Sequence, residues 1–251
     1  QPTPKELDAI YTNAYQYKAH EVVDNEKKYR ARKLSKYICR HVGKRDVVLE
    51  FGCMYGHLLG ELKSLGHKCI GVEIDSGAVS ACNAQGISVI RSSVEDFDAQ
   101  GNQYDLIIMS HVLEHFREPA AVLRKVRKML SADGKVFLVV PNSDAYTTRL
   151  FGRFWGYWQV PVHLNHFNKS SLTTLLRHHD LRVLHTTYNG ADSLFFLSSL
   201  ANIVRMHSVD MQLSRSKVMI IQLVSFFMKY WRAIGNEDLV IVAGKASDSN
   251  A

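Results

Sequence analysis

The sequence predicts an α/β domain in which a mainly parallel sheet carries helices on both faces. Three observations support this. Short apolar runs alternate with helix-length stretches over most of the chain. A glycine-containing loop follows the first run directly, at Glu50-Phe51-Gly52-Cys53-Met54-Tyr55-Gly56. A carboxylate, Glu73, closes the second run, about 20 residues after the loop, where nucleotide-binding α/β folds place the acid that grips ribose hydroxyls.

The elements follow in order. Residues 4–41 read as one or two helices, with Ile10, Tyr11, Tyr15, Val22, Leu34 and Ile38 as apolar positions. Strands are expected near 46–50, 68–73, 87–91, 104–110 and 134–140, with helices near 56–65, 76–84 and 119–130. Asp133-Gly134 is expected to close the helix before the fifth strand, and Pro141 to end that strand. A helix near 170–179 and a strand near 181–188 come next. A last apolar run, Leu239–Ala243, reads as an antiparallel strand at the sheet edge.

The loop spacing is Gly-x-x-x-Gly, which is neither the dinucleotide Gly-x-Gly-x-x-Gly nor a phosphate loop ending in Gly-Lys-Ser/Thr. No lysine follows Gly56, so a triphosphate is not expected. The helix after the loop points its N-terminal N–H groups back at the turn. Glu50, just before the first glycine, suits a ligand that carries a cationic ammonium group.

Composition fixes the broad class. The chain has 251 residues, 46% hydrophobic and 22% charged, enough for one globular α/β domain with a modest insertion and far from disordered or fibrous compositions. Cys39, Cys53, Cys69 and Cys82 are scattered without a Cys-x-x-Cys pair, which suggests reduced thiols in a cytoplasmic protein. Gln1 to Asp8 is polar and broken by prolines, so no secretory signal is expected there. The net charge of +7 attracts anionic partners, and Lys27-Lys28-Tyr29-Arg30-Ala31-Arg32-Lys33 holds much of the excess. Its plain reading is a solvated helix face. No RNA-binding signature accompanies it.

Four stretches in order resemble the class I S-adenosylmethionine-dependent methyltransferases. They are Leu49–Gly56, Gly71-Val72-Glu73-Ile74-Asp75, Ser93-Val94-Glu95-Asp96 and Tyr104–His115. The resemblance runs from about Asp46 to Asn189 and implies a Rossmann-like, seven-stranded, mainly parallel sheet. Residues 1–45 would form a helical segment over the cofactor site, and 46–251 the methyltransferase domain, with rim insertions at 142–169 and 191–236.

The same resemblance implies S-adenosyl-L-methionine as cofactor and S-adenosyl-L-homocysteine as product. The backbone of Gly52, Cys53 and Gly56 would pass close to the methionine part, with Glu50 on its ammonium group. Glu73 would accept from the ribose, Ile74 would cover the adenine, and Val94 with Glu95 would meet the adenine edge. Ser110 and His111 would complete the cofactor wall. Methylating an alcohol requires removal of its proton, and histidine is the natural base near neutral pH. His111 with His115, and His163 with His166, are the candidate catalytic residues.

The segment Pro161–Phe167 most resembles a branch associated with glycan, lipopolysaccharide and quinone methylation. The expected activity is O-methylation of a sugar, glycan, lipid-linked intermediate or other polar small molecule. The rivals are a nucleic-acid 2′-O-methyltransferase and an inactive cofactor-binding partner subunit. In ubiquinone-pathway and small-RNA methyltransferases a Glu-x-x-Glu-His motif helps hold a divalent metal, and here His111 stands where its first Glu would be. The reading adopted is metal-free, with His111, Glu114, His115 and His163 as the alternative metal set.

The 191–236 insertion contains an apolar run, Val218–Trp231, too short to span a membrane. Gln222, Ser225, Lys229 and Arg232 form a narrow polar stripe along it. Such a helix needs cover from the domain, a second copy of the chain, or a lipid surface. The readings are packing within the domain, a homodimer, or peripheral membrane contact through 191–236.

Overall fold

The computed structural model describes residues 21–42, 47–189, 199, 202 and 236–246. Seven strands form one sheet: β1 (Val47–Phe51), β2 (Lys68–Glu73), β3 (Val89–Arg91), β4 (Tyr104–Ser110), β5 (Leu130–Pro141), β6 (Leu181–Asn189) and β7 (Asp238–Lys245). Their order is β3-β2-β1-β4-β5-β7-β6. Among the described residues six α-helices accompany them: α1 (Glu21–His41), α2 (His57–Ser64), α3 (Ser76–Ala84), α4 (Pro119–Met129), α5 (Tyr146–Phe151) and α6 (Lys169–Arg177).

The alternation of side chains along each strand divides the core into two layers. Val48, Leu106, Ile108, Phe137, Val139, Val240 and Val242 meet Ala31, Leu34 and Ile38 of α1 and Leu58 and Leu62 of α2 on one face. Leu49, Phe51, Ile107, Met109, Val136, Leu138, Leu239 and Ile241 meet α4 and α6 on the other, through Val122, Leu123, Val126, Leu172 and Leu176. α6 starts where Asn168 and Ser171 form a reciprocal capping box. α3 starts where Asp75 accepts from the Ala78 N–H at 2.7 Å.

Two expectations need correction. The last strand is antiparallel, as expected, but it lies between β5 and β6 and not at the edge. Its unbroken run of buried residues fits a strand covered on both faces inside the sheet, whereas β6 is buried only at Leu181 and takes the edge. Helix α4 ends at Met129, and β5 begins at once with Leu130 paired to Tyr104. Asp133-Gly134 therefore lies inside the strand, where the register shifts between Tyr104 and Leu106, and it does not close the helix.

The parallel strands reverse direction of progression at β1 and β4, which are neighbours. The crevice beyond their carboxyl ends is where open α/β sheets bind ligands. The loops after Phe51 and Ser110 flank that crevice. Because β7 runs antiparallel, its first residue, Asp238, lies at the same rim, paired with Pro141. The 142–169 segment folds there around Ala145, Phe151, Trp155 and Tyr157. The 191–236 segment, with its polar stripe, lies outside the described residues apart from Ser199, Asn202 and Asn236. The Gly156 N–H donates to Ser199 Oγ (2.7 Å) and Asn202 Nδ2 donates to the Phe154 carbonyl (3.2 Å). No described helix is long and apolar enough to cross a membrane. All four cysteines are free thiols.

Candidate active site

The loop after β1 turns on three left-handed residues, Gly52 (φ 66°), Met54 (φ 48°) and Gly56 (φ 70°). A Cβ on Gly52 would stand 2.6 Å from Val112 Cγ2, so the loop after β1 closes directly on the loop after β4. The glycine is thus required both by its backbone conformation and by a protein neighbour. The Gly56 position is crowded by Cys82 Sγ and Ile87. The thiol of Cys53 turns inward against Gly71, and burial with the nearby Glu50 and Glu73 pushes it far above its ordinary range. Cys53 therefore offers the crevice its backbone and not its sulfur.

Glu50 is buried, and its Oε2 receives no hydrogen bond. Burial, and secondarily Glu73, pushes its carboxyl up to about 8. A buried carboxylate oxygen without a donor fits a cationic ammonium group, which would supply both hydrogen bonds and countercharge. Glu73 is held differently. Its Oε1 accepts from the Ile74 and Asp75 N–H groups at 2.8 and 3.0 Å, and its Oε2 from the Met54 N–H at 2.9 Å. These bonds tie the strand end to the glycine loop. They occupy three of about four acceptor sites on the carboxylate. Ile74 is 61% exposed, an apolar side chain left open beside Glu73. Val94 is buried in the core, while Glu95 is exposed and its carbonyl accepts from Lys125 Nζ at 2.5 Å.

Past Ser110, which ends β4 half-buried, the chain enters the left-handed region at His111 (φ 56°). Its Nε2 contacts Arg30 Nη2 from α1 and lies 3.5 Å from Asp238 Oδ1 of β7. Its Nδ1 lies 3.4 Å from Glu114 Oε1, and its ring stacks on Tyr157 at 5.8 Å. Arg30 also donates to Asp238 Oδ2 at 2.8 Å, and Tyr157 Oη donates to Asp238 Oδ1 at 3.1 Å. Asp238 thus gathers residues from α1, the loop after β4 and the 142–169 segment.

Behind His111 lies a buried group. Glu114 is fully buried and neither carboxylate oxygen receives a hydrogen bond. Burial raises its carboxyl, but His111, His115 and His163 outweigh that and hold it below the usual carboxylate range. His163 is buried, with Nδ1 2.7 Å from the Tyr157 carbonyl, and burial lowers its imidazole to about 4. His115 holds the Val162 carbonyl through Nδ1 at 3.1 Å, and its ring meets that of His163 edge-on at 4.7 Å. His166 stands apart, with Nε2 3.1 Å from the Trp158 carbonyl. Of the four candidate catalytic histidines, His111, His115 and His163 converge around Glu114, and His166 does not.

Arg30, Val112, Tyr157 and Asp238 were not singled out as site residues by the sequence. Tyr157 lies in the 142–169 insertion, which the sequence placed at the rim without resolving its contacts. Asp238 had a usable signal: an acid leading an antiparallel strand must sit at the ligand rim.

A doubly wound sheet with a glycine loop, a buried acid with one oxygen left without a donor, and a second acid closing β2 defines a nucleotide-cofactor site. A family profile for a methyltransferase domain matches residues 25–186, and the chain belongs to this family of class I S-adenosylmethionine-dependent methyltransferases. It is 26% identical over 135 residues to a ubiquinone biosynthesis O-methyltransferase of Glaesserella parasuis, covering 49% of this chain and 57% of that one. The chain spans about half the length of the relatives it matches in sequence. Its fold resembles the 1,6-didemethyltoxoflavin-N1-methyltransferase of Burkholderia thailandensis, solved with 1,6-didemethyltoxoflavin and S-adenosylhomocysteine. There the TM-score is 0.62 at 16% identity, over 98% of this chain and 92% of that one. A SAM-dependent methyltransferase from Archaeoglobus fulgidus matches with TM-score 0.57 at 18% identity, over 90% of this chain and all of that one.

Proposed function

We propose that this chain methylates a hydroxyl oxygen of a polar acceptor, of the sugar, glycan or lipid-linked class, with S-adenosylmethionine as donor. The observation that carries the donor site is the buried Glu50 carboxylate, whose Oε2 has no hydrogen-bond donor, beside the left-handed glycine loop. When bound, the cofactor supplies an electrophilic methyl group on a sulfonium sulfur. Glu50 neutralises the ammonium group, Glu73 offers its remaining acceptor site to a ribose hydroxyl, and Ile74 covers the adenine face.

His111 takes the acceptor proton. It is the one of the two leading bases that reaches the surface, with 20% of its side chain exposed, whereas His163 is buried. In the free protein Arg30 covers Nε2, so the acceptor must displace that contact. The guanidinium then keeps its bond to Asp238 Oδ2, and Asp238 Oδ1 faces the ring nitrogen that gains the proton. Glu114 stabilises the resulting imidazolium from the other side. General-base assistance of this kind contributes ~10²–10⁴-fold.

An acceptor with an apolar tail fits the rim. Tyr146, Leu150 and Val160 of the 142–169 segment are exposed, Leu150 by 67% and Val160 by 74%. The sequence relative's name, ubiquinone biosynthesis O-methyltransferase, supports oxygen as the target atom. The test incubates the protein with methyl-labelled S-adenosylmethionine and three acceptor pools: lipid extract, water-soluble metabolites and total RNA. Label entering the lipid or soluble pool supports the proposal. Label entering RNA would instead make the chain a nucleic-acid methyltransferase. No transfer to any pool, with the cofactor bound, would make it a non-catalytic partner subunit.

A further inference from the structure

The ring of His111 is set up as a base, yet a cation covers the atom that would take the proton. Its Nδ1 faces the buried Glu114 Oε1 at 3.4 Å, which favours a proton on Nδ1 and leaves the lone pair on Nε2. The Arg30 guanidinium contacts that Nε2 through Nη2. The same Nη2 donates to Asp238 Oδ2 at 2.8 Å. Asp238 is buried, and its Oδ1 accepts from Tyr157 Oη at 3.1 Å, so the carboxylate is a fixed post. Arg30 is not enclosed in the same way, for 28% of its side chain is open to solvent.

A second cation of α1 lies beside the same crevice. Lys27 stands three residues before Arg30 and therefore on the same side of the helix. It reaches over the Tyr55 ring of the glycine loop, with Nζ 5.9 Å from the centroid. α1 thus lays Arg30 on the loop after β4 and Lys27 on the loop after β1, the two loops that flank the crevice. Asp238 and Glu114, the acids near His111, are buried, whereas Lys27 and Arg30 are partly exposed. An incoming acceptor therefore meets positive charge at this end of the crevice.

We propose that the acceptor carries an oxyanion, a carboxylate or a phosphate, next to the hydroxyl that is methylated, and that Arg30 reads it. The proposal rests on the methyl-transfer reading and narrows its acceptor to an acidic one. A hydroxyl reaches His111 Nε2 only after Arg30 turns off it, and that donor then needs another acceptor. A neutral group replaces the contact weakly, whereas an oxyanion forms charge-assisted, two-pronged bonds with a guanidinium. Asp238 keeps Arg30 anchored as it turns, and Lys27 adds attraction across the opening. The anion thus uncovers the base beside the very hydroxyl it accompanies. A neutral molecule meets a capped base.

The experiment supplies methyl-labelled S-adenosylmethionine with soluble and lipid extracts, then separates the labelled products by anion exchange. The proposal expects the label in the retained fraction. Phosphatase should release it from the exchanger if the anion is a phosphate, and amidation of carboxyl groups should do so if it is a carboxylate. The acceptor identified in this way, used intact and in its neutralised form, should differ at least ~30-fold in kcat/KM for the wild type. Arg30→Gln should lose most of that preference by slowing the acidic acceptor and not the neutral one, with S-adenosylhomocysteine affinity unchanged. Arg30→Lys should restore part of it, whereas a merely structural Arg30 would slow both acceptors alike. Circular dichroism identifies a variant that fails to fold, and the wild-type comparison needs no variant. Label confined to unretained products, equal kcat/KM for the acidic and neutral forms, or a folded Arg30→Gln with the wild-type preference would each overturn the proposal while the methyl-transfer reading stands. No label in any fraction would overturn both.

Discussion

Arg30 and Asp238 are 208 residues apart in sequence and joined by a 2.8 Å ion pair at the ligand rim. The first described helix and the last strand therefore meet at the candidate active site. Asp238 is buried while Arg30 is partly exposed, and Tyr157 Oη shares the same carboxylate. Asp238→Ala leaves a buried phenol and a guanidinium without that acceptor. It should cost about 1–3 kcal/mol, a range set by the lost hydrogen bonds and discounted for the solvent reaching Arg30. Asp238→Asn keeps an acceptor for Tyr157 and should cost less. Denaturant unfolding of both variants checks the order, and equal loss or no loss would contradict it.

Glu50 should make stability and cofactor binding depend on pH. Its folded pKa of about 8 lies far above an ordinary carboxyl. Between the two values the native state keeps a proton that the unfolded chain releases, so stability contributed by Glu50 falls as pH rises toward about 8 and levels off above it. Thermal unfolding of the free protein from pH 5 to 9 should show this decline, and Glu50→Gln should flatten it. A cationic ligand should reverse the trend by stabilising the ionised form, with proton release on binding near neutral pH. A Glu50→Gln profile identical to the wild type would rule this out.

Gly52 faces Val112 and should be coupled to it. Gly52→Ala places a methyl group 2.6 Å from Val112 Cγ2 on a left-handed residue. It should cost about 1–3 kcal/mol through overpacking and backbone strain. Val112→Ala should restore part of that loss and leave the φ penalty, an interaction energy of about 0.5–3 kcal/mol in a double-mutant cycle. Strict additivity of the two substitutions would mean that the loops do not press on each other as described.

The histidines should separate by role. His111→Ala should slow methyl transfer by ~10²–10⁴-fold with cofactor affinity nearly unchanged. His163 is a buried imidazole kept neutral, so its effect should appear first in stability. Since its folded pKa lies near 4, the unfolded state binds the proton preferentially below the ordinary histidine range, and stability should drop as pH falls from about 6.5 to 4. His163→Gln should weaken that acid sensitivity. Turnover of His111→Ala within tenfold of wild type would place the base elsewhere.

The sheet was largely legible because its strands are continuous apolar runs and its turns are punctuated by glycine and proline. The placement of the loop, Glu50, Glu73 and Ile74 at the carboxyl ends of β1 and β2 was legible because each lies at a strand end. Less of the rim could be read. The partners of His111 come from α1, the 142–169 segment and β7, and no local spacing links them. Likewise, the Val112 side chain that crowds position 52 comes from the loop after β4, and no local spacing announces it. The position of β7 depended on which neighbour its two apolar faces found, a tertiary choice that only the exposure of β6 reveals.

The cofactor site is tested most directly by calorimetric titration of the protein with S-adenosylhomocysteine, for wild type, Glu50→Gln and Glu73→Ala. The site geometry predicts one equivalent bound by the wild type. Each substitution should lower the affinity at least ~10-fold, the loss expected when a charge-assisted hydrogen bond is removed. Folded variants that both bind as tightly as the wild type, or a wild type that binds no S-adenosylhomocysteine, would contradict the assignment.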